Sequence, residues 1–381
     1  MHVLEGIEMN EINSVSIIIP LSRPTAYLKD ILKLESKIVN EIEFVLVIDN
    51  PKDDFIQWVN QLTIESKQKI CIIVNKDNLG APKSRNKGIE KAKGDLLLFL
   101  DDDVIPDKML IDYHIKELKD KDSFGVIGTT VMEFRKDKKL QYALGKAGFA
   151  YSFRLYQDYK KHSWGPTCNV SFLKKKVDKI RFDDCYPKSG GGEDVDFCWD
   201  VAKINNNQKM IVSEKAKAIH PPWEGAKSIY RRLKRWGYAD AILFNNQPER
   251  RYLDWPTYPG INLLLIVTTI LIGAILNPWF FILIPIHLMI SFLLTGIYQM
   301  LDSKSSFITG QIIQSLRIWH HIGRIQKILS TFKLHQLLFR TQYFDDYTPK
   351  KIRKKTFTEF LLIIISYSAS LIVIIYLLYW R

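Results

Sequence analysis

Over the first 250 residues the chain alternates between short apolar runs and charged stretches. The runs are VSIIIP (15–20), FVLVID (44–49), KICIIV (69–74) and LLLFL (96–100). Apolar runs this short, bounded by Gly, Pro or Asp, predict buried strands rather than helices. The intervening segments 24–40, 51–66 and 82–93 are long enough for crossover helices. Strand–helix alternation of this kind predicts a doubly wound, Rossmann-like α/β domain.

Near residue 255 the pattern changes. Gly260 to Leu276 and Phe280 to Met300 carry no Asp, Glu, Lys or Arg, and Asn277-Pro278-Trp279 separates them. A span needs about 20 apolar residues to cross a ~30 Å hydrocarbon core. A helical hairpin turning at Asn277-Pro278 is therefore expected; a buried hairpin in a soluble domain is the other reading. A third span is expected from Phe360 to Tyr379. Residues 307–340 mix Ile, Leu, Phe and Trp319 with Arg317, Arg324, Lys327 and Lys333. That pattern suits a helix lying in the membrane interface, or one packed against the soluble domain. The predicted organisation is a lead at 1–13, an α/β domain at 14–250, a transmembrane hairpin at 258–300, an amphipathic cytoplasmic or interfacial segment at 301–357 and a third span at 358–381.

Charge adds direction. There are 54 Lys+Arg against 41 Asp+Glu. RRLKR (231–235) and KKIRKK (350–355) both precede apolar segments, so the excess points to anionic lipid, and no nucleic-acid recognition motif accompanies it. By the positive-inside rule KKIRKK is cytoplasmic and Arg381 outside; the hairpin returns the chain, so both soluble parts face the cytoplasm. Cys71, Cys168, Cys185 and Cys198 have no CxxC spacing and read as reduced thiols. MHVLEGIEMNEINS has no basic-then-apolar leader, so no cleaved signal peptide is expected.

Candidate chemistry concentrates in a few places. LLLFL runs directly into Asp101, Asp102 and Asp103. In open α/β sheets ligands sit beyond the carboxyl ends of the strands. Hard carboxylate oxygens there suit Mg2+ or Mn2+ on the phosphates of a nucleotide; a solvated acidic turn is the alternative. In DNLGAPKSRNKG (77–88) Gly80 turns the chain into a helix, leaving N–H groups for an anion. Arg85, one turn in, can reach a base or a phosphate, or it is a surface cation. Asp49 closes the second strand and can accept from a base N–H or simply form a turn. Three glycines precede Glu193 and Asp194 in GGGEDVDFCWD (190–200). A carboxylate on such a loop can act as a general base, or serve as an acidic helix start. His220, before Pro221-Pro222-Trp223, suits a metal or a phosphate, or is a structural histidine at a strand end. Arg232 and Arg235, one turn apart, can clamp a pyrophosphate, or belong to a basic interfacial helix that merely precedes the membrane. Trp236 can stack on a sugar face or sit at the membrane interface.

Taken in order, VSIIIP, VLVIDN, DNLGAPKSRNKGI, LLLFLDDD, GPTCNVSFLKKK (165–176), GGGEDVDFCWD and IHPPW resemble the family 2 glycosyltransferases, from about Val15 to Phe244. The resemblance implies a GT-A nucleotide-sugar-binding fold for the 14–250 domain, followed by the transmembrane helices. It implies donor-binding roles for Pro20, Asp49, Gly80, Arg85, Asp101, Asp102, Arg232 and Arg235, and acceptor contacts from Trp223 and Trp236. It makes Asp101 and Asp103 a DxD motif completed by His220 as metal ligands. Asp194 becomes the base, with Glu193 as the alternative. The segment around Arg235-Trp236 is similar to the QxxRW element of polysaccharide synthases, with Arg232 where glutamine belongs, which weighs against processive synthesis. The implied activity is inverting transfer from a nucleotide-diphospho-sugar, UDP-sugars favoured, to a lipid-linked or surface-glycan acceptor, with Mn2+ or Mg2+. A processive synthase, a metal-dependent nucleotidyltransferase and a non-catalytic membrane scaffold are the rival readings.

Overall fold

The computed structural model describes residues 11–119, 123–177, 179–344 and 349–379. Most of the predicted 1–13 lead, and the last two residues of the third predicted span, fall outside them. Along the chain the elements begin with β1 (Ser14–Leu21), α1 (Leu28–Ile31), β2 (Glu41–Ile48), α2 (Asp53–Ile64), β3 (Lys69–Val74), α3 (Ala81–Lys91) and β4 (Leu96–Leu100). There follow β5 (Ile105–Pro106), α4 (Leu110–Lys119), β6 (Gly125–Val131), α5 (Lys139–Lys146), β7 (Lys161–His162), β8 (Asn169–Leu173), α6 (Lys174–Val177), α7 (Glu193–Ile204) and β9 (Met210–Ile219). The remainder is α8 (Ala226–Asn246), β10 (Arg251–Leu253), α9 (Tyr258–Ile275), α10 (Leu283–Ser303), α11 (Phe307–Ser330), β11 (Phe339–Thr341) and α12 (Pro349–Tyr379). The chain divides into two compact units, residues 1–133 with 150–222, and residues 134–149 with 223–381. That division falls at 222–223, whereas the sequence pattern put the end of the α/β domain at 250.

In the first unit the strands form one mixed sheet in the order β3-β2-β1-β4-β8-β6-β9-β5, with β7 on β9. β1 runs parallel to β2 and to β4. The chain moves outward from β1 to β3 and then crosses back to β4 on the other side of β1. The switch point therefore lies between β1 and β4, and their carboxyl ends share one edge. β4 has no exposed residue because both faces are covered, which is why its sequence is uniformly apolar. β8 departs from the parallel expectation, running antiparallel to β4 and β6.

α2 and α3 occupy the second and third predicted crossovers. α2 buries Phe55, Val59 and Leu62 at helical spacing, and its first turn is acidic, as suits the positive end of a helix. The first predicted crossover, 24–40, is helical only over four residues. Ser36 is the reason. Its hydroxyl donates to Asp112 Oδ1 (2.5 Å) and accepts from the N–H groups of Ile38 and Val39, which competes with helical bonding.

In the second unit α9, the stretch Pro278–Ser303 and α12 from Ile352 to Leu378 are three helices long and apolar enough to cross a membrane, among the described residues. The turn between the first two is at Asn277-Pro278, where the Asn277 side chain accepts from Trp279 N. α11 is helical as expected, and it is packed rather than free. A Cβ on Gly237 of α8 would lie 1.7 Å from His320 O, and one on Gly323 of α11 would lie 1.7 Å from Lys234 O. Only glycine lets the two backbones approach so closely. Beside this crossing Arg324 pairs with Asp240 at 2.9 Å, both side chains being buried.

Candidate active site

The acidic run leaves the sheet at the switch-point edge. Its strand is fixed from the β8 side, where Leu100 stands opposite Asn169. The wholly buried Asn169 donates to the carbonyls of Thr129 and Ala216 at 3.1 and 2.9 Å. Its Oδ1 lies 3.0 Å from His114 Nε2, and His114 Nδ1 lies 2.9 Å from Ser171 Oγ. Burial pushes the His114 pKa down to about 4, so the ring is neutral. Nε2 then donates to the amide oxygen and Nδ1 accepts from the hydroxyl. Sequence reasoning passed over this network, because a histidine and an asparagine 55 positions apart carry no local signal.

Asp101, Asp103 and His220 come together with their ligand atoms within 4.8 Å of one another. His220 Nε2 is 3.6 Å from Asp103 Oδ1. His220 Nδ1 is 2.7 Å from Pro221 O, which can only accept. Nδ1 therefore carries a hydrogen, which leaves Nε2 as the ring atom that faces the carboxylates. Phe153 stacks on the imidazole at 5.9 Å. A donor set of two carboxylate oxygens and one imidazole nitrogen fits a divalent cation such as Mn2+ or Mg2+. Asp102 stands outside this group. Its backbone oxygen accepts from Thr25 Oγ1 at 2.8 Å. Burial first, then the charges of Asp103 and Asp101, raise its pKa to about 7. Arg23, not foreseen from sequence, pairs with Asp103 at 3.2 Å from an exposed position.

Arg85 is not a surface cation. With its side chain 6% exposed, it donates from Nη2 to Asp101 Oδ1 (3.1 Å) and from Nη1 to Glu193 Oε1 (3.0 Å). Burial opposes its charge, but Asp101, Glu193 and Asp194 outweigh that, and the pKa is raised. The predicted donor contact thus reaches a donor only through two carboxylates it already holds. Asp49 is likewise engaged. Its Oδ1 accepts from Asn75 Nδ2 (2.8 Å) and Leu79 N (2.7 Å), and its Oδ2 from Gly80 N (2.8 Å). It shapes the turn in front of α3. The N–H of Gly80, expected to remain for an anion, is spent on Asp49. Pro20 sits at the end of β1, partly exposed, beside Leu21.

That turn in turn holds the loop carrying the second acidic pair. Ala81 N donates to Lys188 O (2.8 Å), and Lys188 Nζ donates to Asn78 O (2.7 Å). Gly80 has φ +92°, and a Cβ there would lie 2.6 Å from Lys188 Cα. Gly190, Gly191 and Gly192 have φ +78°, +130° and +85°. Side chains rarely adopt three such values in succession, which accounts for the glycine run. Gly192 caps α7. The Glu193 carboxylate is occupied by Arg85 and by the N–H of Gly191. Asp194 Oδ1 is 2.9 Å from Val195 N. Loss of water around it, and then Glu193, raise the Asp194 pKa to about 7, with Arg85 opposing.

The remaining predicted residues belong to the second unit. The Arg232 guanidinium lies 4.4 Å from the Trp223 ring centroid, and Trp223 meets Trp236 edge-on at 5.3 Å. Trp223 is 8% exposed; Arg232, Arg235 and Trp236 are partly exposed. All four cysteines are free thiols.

An open α/β sheet with an acidic cluster at its switch-point edge belongs to the nucleotide-binding class of folds. Residues 16–181 match the model of Glycosyl transferase family 2. It is 33% identical over 90 residues to an uncharacterized glycosyltransferase of Haemophilus influenzae, covering 23% of this chain and 36% of that protein. It is 24% identical over 208 residues to an uncharacterized glycosyltransferase of Methanocaldococcus jannaschii, covering 51% and 65%. The chain thus spans less than two thirds of the length of either relative. Among solved structures, a mannosyltransferase from Pyrobaculum calidifontis in complex with GDP-Man and Mn2+ superposes with a TM-score of 0.53 at 14% identity, over 82% of this chain and 86% of that one. The fold is GT-A, followed by helices able to span a membrane.

Proposed function

We propose that the protein transfers a glycosyl group, with inversion, from a nucleotide-diphospho-sugar to a lipid-linked or surface-glycan acceptor at the cytoplasmic face of a membrane. The observation that carries this reading is the meeting of Asp101, Asp103 and His220 near a carboxylate, Asp194, whose pKa lies near neutrality. Asp194 takes the proton of an acceptor hydroxyl, as a base poised at working pH can. The acceptor oxygen then bonds to the anomeric carbon, and the bond from that carbon to the diphosphate oxygen breaks. The nucleoside diphosphate leaves with the electron pair. Mn2+ or Mg2+ bound by Asp101, Asp103 and His220 would offset charge on that diphosphate. Glu193 holds the base loop rather than acting as the base, since both its oxygens are engaged. Asp49 and Gly80 shape the donor turn, and Arg232 and Arg235 are the candidates for a second diphosphate contact. Of the two indoles Trp236 is the better acceptor platform, because Trp223 is buried under Arg232.

UDP-sugars remain the favoured donors, and the GDP-Man complex of the archaeal relative places GDP-sugars in the same test. The protein is incubated with UDP-, GDP- and dTDP-sugars, Mn2+ or Mg2+, and membrane lipid extract. Free nucleoside diphosphate together with a labelled lipid or glycan product is the expected result. Pyrophosphate release would instead mean nucleotidyl transfer, nucleotide binding without turnover would mean a scaffold, and long products would mean processive synthesis. The basic run at 350–355 supports a cytoplasmic catalytic unit and an outside C-terminus, to be read with a C-terminal reporter.

A further inference from the structure

The end of α11 breaks two rules at once. Phe332 has φ +52°, a left-handed conformation that is unusual for a bulky residue. It is also 88% exposed. Around it Leu329, Leu334 and Leu338 are 45%, 54% and 46% exposed. The segment is not loose. Lys333 N donates to Ile328 O at 3.2 Å, closing the helix behind Phe332. The buried Arg324 donates to the carbonyls of Gln336 and Phe339, and Gln336 Nε2 donates to Asn245 Oδ1 at 3.0 Å. A cluster of exposed apolar side chains on a pinned, strained turn points to a surface they enter.

The surroundings say which surface. A Cβ on Gly260, in the first turn of α9, would lie 4.0 Å from Leu337 Cδ2. Arg340 donates to Trp255 O at 3.3 Å, and Trp255 packs on Phe357 and Phe360 of α12 at 4.9 and 4.8 Å. The turn therefore lies at the level where two apolar helices begin. Lys333 stands beside Phe332, and the head of α12 exposes Arg353 and Lys354. Apolar tips flanked by cations suit the boundary between acyl chains and anionic head groups.

We propose that the 329–338 turn is a membrane-insertion wedge. Phe332, Leu329, Leu334 and Leu338 enter the leaflet in which α9 and α12 begin, and Lys333 meets anionic lipid head groups. The proposal rests on the reading that α9, Pro278–Ser303 and α12 span the bilayer. α11 packs on α8 through Gly237 and Gly323, and the turn at its end carries the wedge.

The test places a nitrobenzoxadiazole label on single accessible cysteines of the full chain, with Cys71 and Cys185 replaced by serine and the buried Cys168 and Cys198 retained. The sites are Phe332→Cys, Leu264→Cys in α9 (61% exposed) and Ile64→Cys in the first unit (84% exposed). The variants are placed in nanodiscs of equimolar phosphatidylcholine and phosphatidylglycerol carrying doxyl-labelled lipid. Labels at 332 and 264 should be quenched and the label at 64 should not. Quenching at 264 without quenching at 332 overturns the wedge and leaves the spans standing. Absence of quenching at both overturns the spans and the wedge with them. Phe332→Gly suits φ +52°, so the fold should survive. In that background the quenching of a label at Leu334→Cys should fall by half or more, and unchanged quenching would also overturn the wedge.

Discussion

Arg85 donates to Glu193 across 3.0 Å, and both side chains are almost wholly buried. The same guanidinium reaches Asp101 on its other arm. One cation therefore ties the acid cluster at the end of β4 to the glycine loop that carries the proposed base. Breaking a buried pair is costly because it strands the partner charge. Arg85→Gln is expected to lower kcat/KM by about a hundredfold, in the range of a single well-placed electrostatic group. It should also move the rising limb of the pH–rate profile to higher pH, since Arg85 is what holds the Asp194 pKa down. Arg85→Lys should not rescue, because one ammonium cannot replace the planar fork. A profile that keeps its shape while falling in height would show a merely structural role.

Asp194 gives a prediction in which stability and activity move in opposite directions. Its folded pKa of about 7 lies above the value of about 3.9 expected for an unfolded chain. Between the two the folded state binds more protons, so folding stability falls as pH rises through that window. Asp194→Asn cannot ionise and escapes the loss. Its melting temperature should exceed the parent's at pH 8, with the difference shrinking toward pH 4. Turnover should be lost at every pH. In the parent, turnover should rise with pH up to about 7 as the base ionises. A variant less stable than the parent at pH 8 would count against the raised pKa.

The cation site is tested on binding rather than rate. Mn2+ with UDP or GDP should raise the melting temperature more than nucleotide with chelator. Asp103→Ala and His220→Ala should each remove the metal-dependent part of the shift. His220→Ala should weaken apparent Mn2+ affinity more than Mg2+ affinity, because an imidazole nitrogen suits manganese better than magnesium. Equal shifts in metal and chelator would remove the assigned ligand set.

Gly80 is expected to tolerate no side chain. An added Cβ would sit 2.6 Å from the Lys188 backbone, at φ +92°. Gly80→Ala should cost at least ~1 kcal/mol of stability and lower kcat/KM more than Lys188→Met, which removes the bond to Asn78 but not the backbone packing. Circular-dichroism melts and steady-state kinetics separate the two.

Gly237 and Gly323 make a matching prediction in the second unit. Either one changed to leucine must separate α8 from α11, since each faces a backbone carbonyl at 1.7 Å from the would-be Cβ. The buried Arg324–Asp240 pair would be strained as well. Loss of monodisperse protein in detergent is expected from each change, and a well-behaved Gly323→Leu protein would refute the close crossing.

The amino-acid order alone determined the strands β1 to β4, the helices α2, α3 and α11, the apolar helices and the turn at Asn277-Pro278. Each is written in burial patterns that repeat over a few residues, and local spacing reports them. The same is true of the acidic run leaving β4, because a strand end is visible where apolar residues stop. Tertiary structure decided who meets whom. Arg85 and Glu193 are 108 positions apart, and nothing local separates a surface cation from a buried link between two carboxylates. Asp49 suited either a base contact or a turn by its local sequence, and only the packed chain brings the N–H groups of Leu79 and Gly80 onto it. Segment 24–40 has helical composition and lost its helix to Ser36 and Asp112, a bond across 76 positions. The face α11 buries depended on two glycines in different helices, which only the packed chain brings into register.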